Sequence, residues 1–125
     1  MKASINVLGT PLKPCSHRPL TGWFRDGSCN TSDDDRGSHT VAAEVTQEFL
    51  AFLQSRGNDL ATPAPQFGFP GLQPGDRWCV CAASWYQAYQ AGVACPVDLL
   101  ATHAAALQRV PLDALLACAL AENEA

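Results

Sequence analysis

The sequence predicts an α+β fold, or a small α/β one: a short sheet of about three to four strands, covered by helices and flanked by two long irregular loops. Three observations predict it. Two runs, 39–45 and 77–82, carry strand-type residues bounded by turn signals. Three segments, after Thr46, after Ser84 and after Pro111, carry apolar residues at helical spacing with start or stop residues at their ends. Between them lie 10–38 and 58–76, rich in Pro and Gly and without a period.

In chain order, residues 4–8 alternate weakly and predict a first strand, closed by Gly9, Thr10 and Pro11. Residues 13–38 hold Pro14, Pro19, Gly22, Gly27 and Gly37 with the acidic run Asp33, Asp34, Asp35. A loop of that length in a small domain is functional or poorly ordered, and Trp23, Phe24, Cys15 and Cys29 favour a packed one. His39 to Val45 predicts the second strand. Thr46 then caps a helix whose apolar face is Phe49, Leu50, Phe52 and Leu53, with Gly57 as its stop.

Pro63, Pro65, Pro70 and Pro74 fix φ and remove donors, so 60–76 is a stiff extended loop. Pro74, Gly75 and Asp76 turn it into the strand 77–82. Ser84 is the expected cap of a two-turn helix through Ala91, stopped by Gly92. Val97 to Leu100 is a candidate third main strand, and Thr102 the cap of a short helix containing His103. Pro111 opens a last helix at its first position, with Leu112, Leu115, Leu116 and Leu120 as its stripe.

A chain of 125 residues is read as one domain, 1–125, able to bury a core without staples. The net charge is −4 and the eight basic residues are scattered, so nucleic acid and anionic membranes lack an electrostatic footprint to bind. No stretch is apolar enough to span a bilayer. Met1 to Gly9 has no h-region, so the expectation is a cytoplasmic protein with reduced thiols rather than three disulfides from the six cysteines.

Chemistry concentrates around Trp78, Cys79, Val80 and Cys81. On a strand, Cys79 and Cys81 share one face and Trp78 and Val80 take the other. A shared thiol face serves as a metal half-site, a redox pair or small core packing, and residue types alone leave all three open. Cys15, Cys29, Cys79, Cys81, His39 and His103 are of the types zinc takes, yet no Cys-x-x-Cys or His-x-x-x-His pair frames them, so no metal is assigned. A Cys79–Cys81 disulfide is strained because the two point in parallel. Exchange between Cys29 and one strand thiol is less strained if the loop folds over the sheet.

Either His39 or His103 has the chemistry to act as a base toward Cys29 or Cys79, and each also serves as a rim or capping residue. Asp26 beside Gly27 and Asp59 after Gly57 and Asn58 are turn residues or carboxylate ligands. The Asp33 run fails the calcium-loop register and reads as a solvated turn. No phosphate-loop, dinucleotide or nucleophile-elbow fingerprint is present.

Gly57 to Leu60 with Thr62 and Pro63, then Phe69 to Leu72 with Pro74 to Cys79 and Cys81, form two extended motifs. With Leu8 to Leu12, Arg25 to Gly27, Gly37 to Val41 and Ala101 to His103, they resemble a family of small uncharacterised bacterial proteins classed as a domain of unknown function. The resemblance covers nearly the whole chain and implies no activity, cofactor or catalytic role. It implies a thiol at position 42 in many members, where this chain has Ala42, which weakens any scheme needing a further cysteine there. Cys95 and Cys118 lie outside the motifs.

The reading that follows is a cleft built by the two loops over one end of the sheet. Its candidate catalytic residues are Cys29, His39, Cys79 and His103, and its candidate ligand-binding residues are Asp26, Asp59, Trp78 and Cys81. A small molecule is the expected partner and the cofactor is open. The alternatives are a non-catalytic interaction module displaying aromatic and proline loops, and a structural-metal domain.

Overall fold

The computed structural model describes residues 4–120, so Met1 to Ala3 of the expected strand-like opening lie outside the described residues. Its regular elements are β1 (Val41–Glu44), α1 (Gln47–Ser55), β2 (Arg77–Val80), α2 (Ala82–Gln90) and α3 (Leu112–Ala117), with short 3-10 turns at Pro65–Phe67, Leu99–Ala101 and Ala104–Gln108. This is an α+β arrangement, but the sheet has two strands rather than three to four. β1 and β2 pair antiparallel, with Val41 opposite Val80, Ala42 opposite Cys79, Ala43 opposite Trp78 and Glu44 opposite Arg77.

The missing strands have local causes. Residues 96–98 do run along the free edge of β1: Glu44 N–H donates to Pro96 O and Asp98 N–H to Ala42 O. The Asp98 side chain then accepts from Leu100 N–H at 3.1 Å and turns the chain into a 3-10 turn, leaving isolated bridges from Val97 to Ala43 and to Ala119. At the other expected strand, Asn6 accepts from the N–H groups of Leu8 and Thr10 and donates to Thr10 Oγ1 and Leu100 O, which curls 4–8 into a turn. Local side-chain bonding thus competes with the ladder.

The caps behave as the residue types dictate at α1. Thr46 Oγ1 accepts from Phe49 N–H at 3.2 Å, and Glu48 lies in the first turn. Gly57 takes φ +86° just past the end, so its N–H reaches Gln54 O and that of Asn58 reaches Leu53 O. At α2 the cap is Cys81, not Ser84: the strand runs straight into the helix, Ala82 N–H is held by Ser38 O, and Trp85 N–H makes the first helical bond to Cys81 O.

α3 is shorter than its leucine spacing predicts. Pro111 caps it from outside, Ala114 and Leu115 are its buried residues, and Leu112 and Leu116 are exposed. The chain leaves the helix early because Leu120 N–H bonds Val97 O and Val97 N–H bonds Cys118 O.

The strand alternation sorts the core into two. Val41, Ala43, Trp78 and Val80 face a large apolar cluster with Phe49, Leu53, Trp85, Val97, Val110 and Leu115. Ala42 and Cys79 face the opposite side, with Cys15, Cys29 and Ala101. Loops cover that second face: Thr21 Oγ1 accepts from Cys79 N–H at 2.9 Å and Thr102 Oγ1 from Ala42 N–H at 3.1 Å. Among the described residues, no helix is long and apolar enough to cross a membrane.

Candidate cleft and sulfur cluster

The first loop and the proline loop meet over β2 and leave a cleft of about 330 Å³. That is the lower end of the size range of small-molecule sites. Gly22, Trp23 and Arg25 come from the first loop, Asn58 to Leu60, Ala64, Phe67 and Phe69 from the second, and Trp78 to Cys81 from the strand and its exit; His39 also lines it. Close loop packing explains two glycines. A Cβ at Gly71 would lie 2.5 Å from Ala61 O at a φ of +79°, and one at Gly37 would lie 2.9 Å from the His39 ring.

Aromatic faces dominate the wall. Trp23 stacks on His39 with centroids 6.0 Å apart and planes 13° off parallel. Phe69 meets Trp78 edge-on at 5.2 Å, and the Arg25 guanidinium sits 5.1 Å from the Trp78 ring centre. Arg25 and Ser38 are non-glycine residues at positive φ, +55° and +51°, one in the cleft and one just before His39. Arg25 holds its conformation with a bond from Nη1 to Gly22 O. Backbone in this region is costly and concentrates at sites of function.

His39 has a built partner. Its ring Nδ1 lies 2.6 Å from Asp35 Oδ1, its backbone N–H donates to Asp35 Oδ2 at 2.8 Å, and Thr31 Oγ1 donates to the same oxygen at 3.0 Å. Burial pushes the Asp35 carboxyl up, but the hydrogen bonds from the His39 ring, the His39 N–H and Thr31 outweigh it and hold it below the usual carboxylate range. An ionised carboxylate only accepts, so Nδ1 carries the proton it donates and Nε2 is the other ring nitrogen. Asp35 therefore corrects the expectation of a solvated acidic run: Asp33 and Asp34 are exposed, Asp35 is buried.

Behind the cleft wall lies the sulfur cluster. Cys29 and Cys79 form a disulfide across 50 residues, with Cα atoms 5.3 Å apart. This replaces the expectation of reduced thiols for these two residues. The loop folds over the sheet and brings Cys29 to the strand. The Sγ atoms of Cys15, Cys29 and Cys79 all lie within 4.8 Å of one another. Burial, with the Asp98 carboxylate adding to it and Arg77 opposing, pushes the Cys15 thiol up to about 12. Cys15 is thus a protonated thiol at neutral pH.

Of the eight candidate residues, His39, Asp59, Trp78, Cys79 and Cys81 line the cleft, and Cys29 joins through the disulfide. Cys81 does not share the buried face of Cys79, because the chain has left the strand and caps α2 there. Asp59 is an exposed turn residue: it accepts from Thr62 Oγ1 and from the N–H groups of Thr62 and Ala61, and the Thr62 hydroxyl leads in lowering its pKa. Asp26 and His103 are not among the lining residues. Asp26 Oδ1 accepts from Ser28 N–H in a turn of its own. His103 Nδ1 accepts from Ala105 N–H and caps a 3-10 turn, in place of the helix expected after Thr102.

Sequence reasoning missed Asp35 as the partner of His39, and Trp23 and Arg25 as cleft components. The four-residue spacing from Asp35 to His39 was the available signal for the first. Nothing local marks Trp23 and Arg25, whose roles depend on where the loop lands.

The fold and site define a small α+β protein with a buried three-sulfur cluster beside an aromatic cleft. The chain belongs to a family described as uncharacterized proteins conserved in bacteria (DUF2237), whose pattern matches residues 5–119. No curated protein matches it.

Proposed function

We propose that the cleft binds a small, flat, partly apolar molecule and that the Cys29–Cys79 disulfide in its wall exchanges with thiols there. The observation that carries this reading is that one cleft is lined by a disulfide cysteine, a histidine hydrogen-bonded to a buried aspartate, and stacked aromatics. A bound thiol, deprotonated by His39 Nε2, attacks Cys79 Sγ. The Cys29–Cys79 bond breaks, a mixed disulfide forms on Cys79, and Cys29 leaves as thiolate to take up a proton. A second thiol attacks the mixed disulfide, releasing the small-molecule disulfide and the Cys79 thiol. Two electrons pass from two thiols to the protein.

His39 suits the proton step because Asp35 fixes its tautomer. Trp23, Phe67, Phe69 and Trp78 give the selectivity for a flat apolar body. The exposure of Phe67 and Trp23 is accounted for by their place in this cleft, which favours a small ligand over an interaction surface.

The test compares thiophenol with 2-mercaptoethanesulfonate as reductants of the oxidised protein, followed by intact mass. The reading expects a mixed disulfide on Cys79, faster with thiophenol, and slowed by His39→Gln and by Trp23→Ala. Equal rates for both thiols after correction for their acidity, with no effect of either substitution, would overturn it.

A further inference from the structure

We propose that opening the Cys29–Cys79 disulfide converts the sulfur cluster into a buried site for a soft divalent cation, zinc or cadmium, held by Cys15, Cys29 and Cys79. The spacing supports it. Zinc–sulfur bonds of about 2.3 Å at tetrahedral angles put ligand sulfurs roughly 3.8 Å apart. The three Sγ atoms lie within 4.8 Å of one another, so rotamer adjustments bring them to that distance. All three residues are buried and come from two segments, Cys15 and Cys29 in the first loop and Cys79 on β2.

The charge balance selects the ion. Three thiolates in an apolar pocket are untenable without a cation to offset their charge. A divalent cation leaves the cluster at −1, and thiolates prefer soft ions over calcium or magnesium. The oxidised protein has only the Cys15 thiol to offer, so disulfide and metal exclude each other. The site is therefore gated by redox state.

The step balances with a phosphine as the reductant. The phosphine gives two electrons to the disulfide and leaves as its oxide, taking oxygen from water. The two water protons go to Cys29 and Cys79. Each metal–sulfur bond then displaces one thiol proton to solvent, three in all.

With Ala101, Ala42 packs in the same buried cluster as the three cysteines. It faces Cys79 across the sheet, and its N–H goes to Thr102 while that of Cys79 goes to Thr21. The two residues thus form a non-hydrogen-bonded pair, the kind whose side chains approach most closely. An alanine there supplies no ligand, so the protein gives three sulfurs and leaves one position for water or a small ligand. A cysteine at that place would close a tetrahedral four-sulfur site.

The experiment titrates cadmium into full-length protein, reduced by phosphine and then freed of it. It follows the ultraviolet thiolate-to-cadmium absorption, with a competing chelator for affinity. The expected result is one tightly held cadmium in the reduced protein and none held at that strength with the disulfide intact. Ala42→Cys tightens binding by at least about 10-fold, Cys15→Ser weakens it by about 100-fold or more, and Cys118→Ser leaves it unchanged. No tight cadmium in the reduced protein, or equal binding by Cys15→Ser, would overturn the proposal. Equal binding by oxidised and reduced wild type would also overturn it, and needs no substitution that might fail to fold. This inference uses the disulfide but not the cleft ligand. Cadmium binding can fail while thiol exchange at Cys79 persists, and the reverse, so the two readings fall separately.

Discussion

The two faces of the two-stranded sheet are built from the same eight residues and do opposite work. On one face Val41, Ala43, Trp78 and Val80 join a continuous core with Phe49, Trp85 and Leu115. On the other, Ala42 and Cys79 meet Cys15, Cys29 and Ala101, a cluster of small side chains and sulfur closed by a disulfide. The first face holds by area and packing. The second is too small to hold by area, and is kept together by a covalent link and by the threonines that bind its strand edges. The lesson is that the alternation of a short strand can separate a structural face from a chemical one within four residues.

Substitutions on each face sharpen that contrast. Trp85 is fully buried, with its Nε1–H donated to Cys95 O, so Trp85→Ala is expected to cost about 3–5 kcal/mol in urea unfolding, independent of reductant. Cys79→Ser removes a link spanning 50 residues and is expected to cost about 2–5 kcal/mol relative to the oxidised protein. Reductant should lower wild type toward the variant and leave the variant unmoved. If reductant destabilised Trp85→Ala and Cys79→Ser alike, the division between the faces would fail.

The next effects lie at the cleft edge. Thr21→Val leaves the buried Cys79 N–H without its acceptor, for a loss of about 1–3 kcal/mol by the same unfolding measurement. Asp35 has a depressed pKa in the folded chain. Its contribution is therefore present above the unfolded value of about 3.9 and is lost as pH falls through the folded one. Stability measured from pH 7 down to pH 2 should fall more steeply below about pH 4 in wild type than in Asp35→Asn. The smallest effect is at His103, whose pKa is lowered by burial and whose Nδ1 must stay unprotonated to cap its turn. Stability should decline slightly as pH drops below about 6.5, and His103→Asn should remove that slope.

Much of this was legible in the sequence where the information is local. Thr46 and Gly57 bracket α1, and the period of two put Trp78 and Val80 on the face away from Cys79. The two loops were recognisable by their prolines and glycines. What sequence reading overstated was the sheet, because Asn6 and Asp98 each bond their own neighbouring backbone and turn candidate strands into bridges. His103 and Asp26 carry the same side chains as cleft residues but serve turns. Their chemistry is identical, and only the path of the backbone separates a cap from a site. The role of Cys15 depends on two points of the first loop, 15 and 29, converging on residue 79, a long-range event that spacing does not encode.

The most direct test of the sulfur face is disulfide mapping by peptide mass across a series of glutathione redox buffers, with free thiols blocked before digestion. The account predicts a single reversible link, Cys29 to Cys79, with Cys15, Cys81, Cys95 and Cys118 recovered as thiols. A Cys79–Cys81 link, or six free cysteines across the whole series, would contradict it.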